Sequence, residues 1–165
     1  METLIANWKT YFRYCFPSRI RKFPRIPLTD HFWDFFHAGR QLAELHLHYD
    51  QQPEYPLDLI HDGKIDWELK DKMRLSKDKT QISYNYSLTL NGIPAKTFNY
   101  RLGNRSALEW IIERYQIKTD ERSQITNNPN QPYEPKAIIK LIGQIITVSL
   151  KTVEIVEKLP IIQQV

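Results

Sequence analysis

Apolar residues first recur at helical spacing between Thr29 and Tyr49, where Phe32, Phe35, Phe36, Leu42, Leu45 and Tyr49 form a stripe. Thr29 or Asp30 is placed to cap this helix, and Pro53 and Pro56 end it. Upstream, Phe23-Pro24-Arg25-Ile26-Pro27-Leu28 has to be extended, because each proline removes a donor and restricts the residue before it. Tyr55–Asp66 reads as a loop that turns at Asp62-Gly63. The period then changes: Ile82, Tyr84, Tyr86, Leu88 and Leu90 alternate with polar residues, the repeat of a half-buried strand. Lys72–Leu75 supplies a partner strand, with Ser76-Lys77-Asp78-Lys79 as the hairpin tip and Asn91-Gly92 closing the second strand.

Pro94 opens a short helical turn through Tyr100, which Gly103 breaks. Ser106 and Glu109 have capping-box spacing, so a helix runs to about Tyr115, burying Leu108, Ile111 and Ile112 beside Trp110. Lys118–Glu134 is too polar to bury itself and reads as a surface loop. From Pro135 a long helix runs to about Leu159. Its apolar positions Ile138, Leu141, Ile142, Ile145, Val148, Val153 and Val156 cover more than one stripe, which places it largely inside. The fold class is therefore α+β: a small antiparallel sheet or hairpin packed with several helices, including a long C-terminal one.

The 165 residues suit one domain, and a hydrophobic content of 41% excludes whole-chain disorder. A formal charge of +4 is compatible with a polyanionic partner without demonstrating one. Cys15 is the only cysteine, which leaves no disulfide framework or cysteine zinc site and fits a reducing cytoplasm. No apolar run is long enough to span a membrane, and residues 1–16 lack the pattern of a signal peptide.

Several segments in order resemble one family. These are Phe23–Leu28, Gly39-Arg40-Gln41-Leu42-Ala43-Glu44-Leu45-His46, Gly92-Ile93-Pro94, the block Tyr100-Arg101-Leu102-Gly103-Asn104-Arg105-Ser106-Ala107-Leu108-Glu109-Trp110, and Ile142–Ser149. Together they resemble the C-terminal specificity domain of type ISP restriction–modification enzymes, over residues 23–159. Residues 1–22 diverge from that family's lead-in, as a truncation, a frame remnant or a separate gene's own start would. They are set apart from a target-recognition domain spanning 23–165.

The resemblance implies a module that helps choose the DNA sequence for an enzyme combining nuclease, helicase-like translocase and adenine methyltransferase. The expected partners are duplex DNA and a methyltransferase or helicase–nuclease polypeptide of the same system, with no cofactor and no chemistry in this part. The chain lacks a Gly-Lys-Ser/Thr phosphate loop, and Asn128-Pro129-Asn130 is not the methyltransferase tetrapeptide. The alternative is a structural or protein-interaction remnant of a split enzyme, without DNA affinity of its own.

Within the Tyr100–Trp110 block, Arg101, Asn104 and Arg105 can donate to phosphates or base edges. The plainer reading has greater weight: a tight turn before a capped helix, with Tyr100, Leu102, Leu108 and Trp110 in the core. A block typical of a family cannot by itself distinguish targets. Recognition is therefore expected in polar segments particular to this chain. One is the hairpin with Lys70, Lys72, Arg74, Lys77 and Lys79, since a two-stranded ribbon fits the major groove. The other is Lys118–Gln131, where Arg122, Gln124, Asn127, Asn128 and Gln131 carry groups that read purine edges. Each has a plain counterpart, a solvated hairpin and a linker. Arg19, Arg21, Lys22 and Arg25 form a third basic patch or a simple arm.

Two enzymatic signals carry little weight. Glu68-Leu69-Lys70 with Asp58 upstream has the form of a metal-dependent nuclease motif but arises readily by chance. His37, His46 and His48 lack a surrounding metal motif, so packing or surface roles are expected. Trp67, Trp110, Tyr84 and Tyr86 can stack on bases, although the alternation puts both tyrosines on one strand face, toward the core.

Overall fold

In a computed structural model of the chain, residues 30–160 are described. The extended Phe23–Leu28 segment, the Arg19–Arg25 patch, the Thr29 cap and residues 1–22 lie outside them. Three helices are present among the described residues: α1 (Phe32–Leu47), α2 (Ala107–Arg114) and α3 (Ala137–Glu157). Four strands, β1 (Asp58–His61), β2 (Arg74–Leu75), β3 (Gln81–Ser83) and β4 (Leu88–Asn91), make an antiparallel sheet in the order β1-β4-β3-β2. Two small hairpins follow, β5 (Arg101–Leu102) with β6 (Arg105–Ser106), and β7 (Lys118–Thr119) with β8 (Thr126–Asn127). The α+β class is as the sequence predicts. No helix among the described residues is long and apolar enough to cross a membrane.

The described residues fall into two units, 44–153 and 30–43 with 154–160. In the second of these, the described aromatics of α1 pack on one another: the Phe32 and Trp33 rings lie 5.3 Å apart and those of Trp33 and Phe36 5.5 Å. All three are exposed, so the predicted stripe is not a buried one at its start.

The unit 44–153 holds the hydrophobic core. Ile82, Leu88 and Leu90 of the sheet, with Tyr84 just after β3, meet Leu108 of α2, Ile138, Ile142 and Ile146 of α3, and Leu69 and Met73. Burial of this apolar surface is the main force holding the unit. Chain 54–55 approaches α3 closely at Gly143. A Cβ there would stand 3.2 Å from the Tyr55 amide nitrogen, and that amide donates to the Gly143 carbonyl at 3.1 Å. Gln144 donates from the same turn of α3 to the carbonyls of Asp50 and Gln52.

The capping box forms as expected: Ser106 Oγ accepts from Glu109 N, and Ser106 N donates to Glu109 Oε2 at 2.8 Å. Pro94 does precede a short 3-10 turn, Ala95–Asn99. Three expectations are corrected. The alternating stretch 82–90 is two strands and not one. The chain reverses after Tyr84, whose amide donates to the Leu88 carbonyl at 3.0 Å, and Tyr86 sits at the turn with its side chain in solvent. Residues 58–61 are a strand paired to β4 rather than loop. Lys118–Asn127 is a hairpin rather than an unstructured loop.

Burial acts to raise the Glu109 pKa, but hydrogen bonds from Lys79 and Ser106 outweigh it and hold the carboxyl down to about 2, against an ordinary 4.5. A carboxylate depressed on folding stabilises above its unfolded pKa, and that contribution is lost as pH falls through the folded value. Thermal melts should therefore show stability declining between about pH 4.5 and pH 2, with a shallower decline in Glu109→Gln. Parallel acid limbs for the two proteins would contradict this role.

Candidate nucleic-acid interface

Residues 66–72 lie outside the regular sheet, yet Leu69 is fully buried. A buried backbone without ladder partners has to find them elsewhere. Side chains supply most of them. Asn130, remote in sequence, acts like a peptide group: Leu69 N donates to its Oδ1 at 2.8 Å, and its Nδ2 donates to Leu69 O at 2.8 Å. Asn85 Nδ2 donates to the carbonyls of Asp66 and Glu68 at 2.8 and 3.0 Å. The Tyr84 hydroxyl donates to Trp67 O at 3.0 Å. Burial, with the nearby carboxylates of Asp66 and Glu68 adding to it, pushes that phenol up to about 12, so it stays protonated and able to donate. At the far end, Ile117 N donates to Asp71 O at 3.2 Å, and Lys72 forms an antiparallel bridge with Gln116.

This arrangement joins the two polar segments that the sequence offered separately. Lys72 lies beside Gln116, whose carbonyl accepts from Asn127 Nδ2 at 3.3 Å, and Asn127 pairs in register with Lys118. Lys72 and Arg74 are exposed on either side of buried Met73. The β7–β8 tip is preordered. Asp120 Oδ1 accepts from the amides of Arg122 and Ser123 and from Ser123 Oγ, at 3.1, 2.8 and 3.0 Å, and these bonds lower its carboxyl pKa. Gln124 adopts a left-handed backbone, φ 57°.

The nominated residues differ in how far they are already engaged. Lys70 pairs with Glu68 and with Asp66, and Lys79 Nζ reaches Glu109 Oε1 at 2.8 Å, with the Phe98 ring beneath it. Arg105 pairs with Glu113 and lies over the Trp110 ring, and Arg101 donates to the Asn104 carbonyl across the Gly103 turn. Gln124 Nε2 donates to Glu121 O at 2.8 Å, and Asn128 Oδ1 accepts from Asn130. No ion pair joins Lys72, Arg74, Lys77, Lys118 or Arg122 to another described residue, and all five are exposed. The Tyr100–Trp110 block is the structural turn its plain reading anticipated, with one correction: Leu102 and Trp110 are exposed rather than core, the indole donating to Leu102 O at 3.0 Å.

The enzymatic signals fare differently from a working site. Glu68 and Lys70 bond to each other, His46 Nε2 lies 3.1 Å from Thr152 Oγ1 with its ring stacked on Tyr100, and His48 faces Glu44. Among the described residues no group of three or more His, Cys, Asp or Glu could hold a metal ion. Sequence reasoning weighed Tyr86 for base stacking but placed it toward the core, and passed over Ile125 and Asn130. The Asx-type hydrogen bonding of Asn85 was the one local signal for the turn that exposes Tyr86.

Comparison with known proteins gives the class: residues 20–141 match the Type ISP C-terminal specificity domain, and the chain belongs to that family. It is similar to the ATP-dependent Type ISP restriction–modification enzyme LlaBIII bound to DNA, with 39% identity and a TM-score of 0.75 over 85% of this chain and 10% of that one. A nuclease-deletion mutant of the Type ISP enzyme LlaGI, in complex with a DNA substrate mimic, is 40% identical over 83% of this chain and 13% of that one, with a TM-score of 0.73. A DrdV–DNA complex is 28% identical, with a TM-score of 0.68 over 87% of this chain and 16% of that one. The chain thus spans between 10% and 16% of the length of these proteins. No curated protein matches it.

Replacing Asn130 by Ala leaves the amide and carbonyl of Leu69 without partners. At about 1–3 kcal/mol for each unsatisfied buried group, it should cost several times a surface substitution in urea unfolding. Amide exchange at Leu69 should accelerate with it. An unchanged midpoint and unchanged exchange would show that the clamp carries no stability.

Proposed function

We propose that this chain is a target-recognition module that binds duplex DNA through the surface built on residues 66–72, without chemistry of its own. The observation that carries this is convergence: Lys72, Arg74 and Lys118, none of which forms an ion pair with a described carboxylate, lie on segments joined by hydrogen bonds between distant parts of the chain. A duplex needs such a row of cations, because phosphate contacts set register and orientation while base contacts select sequence. The DNA complexes of the similar type ISP enzymes support the same partner. Cleavage, translocation and methylation then belong to a methyltransferase and helicase–nuclease polypeptide of the same system, acting in the cytoplasm. The domain that serves them is taken as residues 23–165, with 1–22 a separate segment.

The paired and unpaired cations should behave differently. Titration of a random-sequence duplex across a salt series should give affinity that falls steeply with salt. Lys72→Ala and Lys118→Ala should each reduce the log–log slope by about 0.9, the share of one phosphate. Lys79→Ala should change it less, since Lys79 already serves Glu109. Salt-independent binding, or no binding at any salt, would overturn the proposal and favour a protein-interaction role.

A further inference from the structure

Tyr86 and Ile125 are 91% and 69% exposed. Large apolar side chains held in water carry a hydration cost that a mobile polar turn would avoid. Here both are displayed by turns ordered through side-chain hydrogen bonds. The Asn85 side chain fixes the first: its Oδ1 accepts from Ser87 N, Ser87 Oγ and Leu88 N, while its Nδ2 holds Asp66 O and Glu68 O. Asp120 fixes the second, where Asp120 N also donates to Ile125 O at 3.0 Å. Both turns belong to segments bonded directly to residues 66–72, the spine that carries Lys72. The amides best suited to reading adenine are partly occupied at home, Gln124 by Glu121 O and Asn127 by Gln116 O.

Tyr86 and Ile125 are the large apolar side chains that these ordered turns display. The major groove offers one apolar recognition element, the 5-methyl group of thymine, and it admits a two-stranded ribbon. We infer that Ile125 and Tyr86 are specificity-determining residues that select thymine through its 5-methyl group, while the lysines beside them hold phosphates. This inference rests on the DNA-binding reading above. It assigns base choice to two ordered apolar tips rather than to the Asn and Gln side chains.

The experiment uses the full chain and the duplexes it recovers from a random-sequence pool, resynthesised with deoxyuridine in place of thymine one position at a time. At one position or more, loss of the methyl should weaken binding about fourfold, the value of one buried methyl group. That penalty should vanish at the corresponding position in Ile125→Ala or in Tyr86→Ala, and persist in Ile125→Val. Affinity for an unselected duplex and its salt dependence should stay as in the unsubstituted chain. Indifference to deoxyuridine at every position, or a penalty that survives both alanine substitutions, would overturn the inference. The unsubstituted chain's deoxyuridine series decides it even where a variant folds poorly. Salt-dependent binding without any recovered preference sinks this inference alone, whereas absence of binding to any duplex sinks the DNA-binding reading itself.

Discussion

Leu69 is buried in the core while its backbone lies outside any sheet, and the unit has to satisfy that backbone without a neighbouring strand. The Asn130 carboxamide does so by presenting one donor and one acceptor in the geometry of a peptide group. An unsatisfied buried amide or carbonyl costs as much as a sizeable fraction of a domain's net stability. The clamp therefore fixes more than one residue. Once Asn130 is committed to Leu69, the β7–β8 hairpin that precedes it is tethered at its base, and the Lys72–Gln116 bridge tethers its other strand. The same residues 66–68 receive Asn85 and the Tyr84 hydroxyl, which fix the turn between β3 and β4. One irregular segment thus positions two exposed turns and a row of cations.

The proposed mode of DNA binding rests on that geometry more than on composition. A formal charge of +4 on 165 residues is a weak attractor by itself. What matters is which cations have partners. Lys79 is absorbed by the capping-box carboxylate and Arg105 by Glu113, so the conspicuous family block maintains the fold around α2. Lys72, Arg74, Lys118 and Arg122 form no such ion pair among the described residues, although Lys118 lies near enough to Asp120 to help lower its carboxyl pKa. This division separates the turn around α2 from the surface proposed to meet a polyanion.

Much of the fold was legible because its signals are local. The Ser106/Glu109 box, the Pro94 turn, the first hairpin and the long apolar run of α3 each declare themselves within a few residues. The turn at Tyr86 was hidden because apolar–polar alternation continues through it: Tyr84 and Leu88 are both inward, and Asn85 makes the reversal without a glycine. Strand β1 was hidden because exposed Leu59 and Ile60 show no alternation, its pairing being set by β4. The candidate segments 70–79 and 118–131 were legible from their cations and amides. Their union was not, since it depends on a bond between Leu69 and Asn130 that no local pattern encodes. The occupation of Gln124, Asn127 and Asn128 by neighbouring backbone and side-chain groups was equally invisible.

The central claim is that residues 66–72 form the spine of the DNA-binding surface. Amide hydrogen exchange of the full chain, with and without a saturating duplex, tests it most directly. The account predicts added protection at residues 69–72, in the turn around Tyr86 and across 116–127, with little change over 100–110. Protection concentrated in 100–110 and absent from those three segments would contradict it.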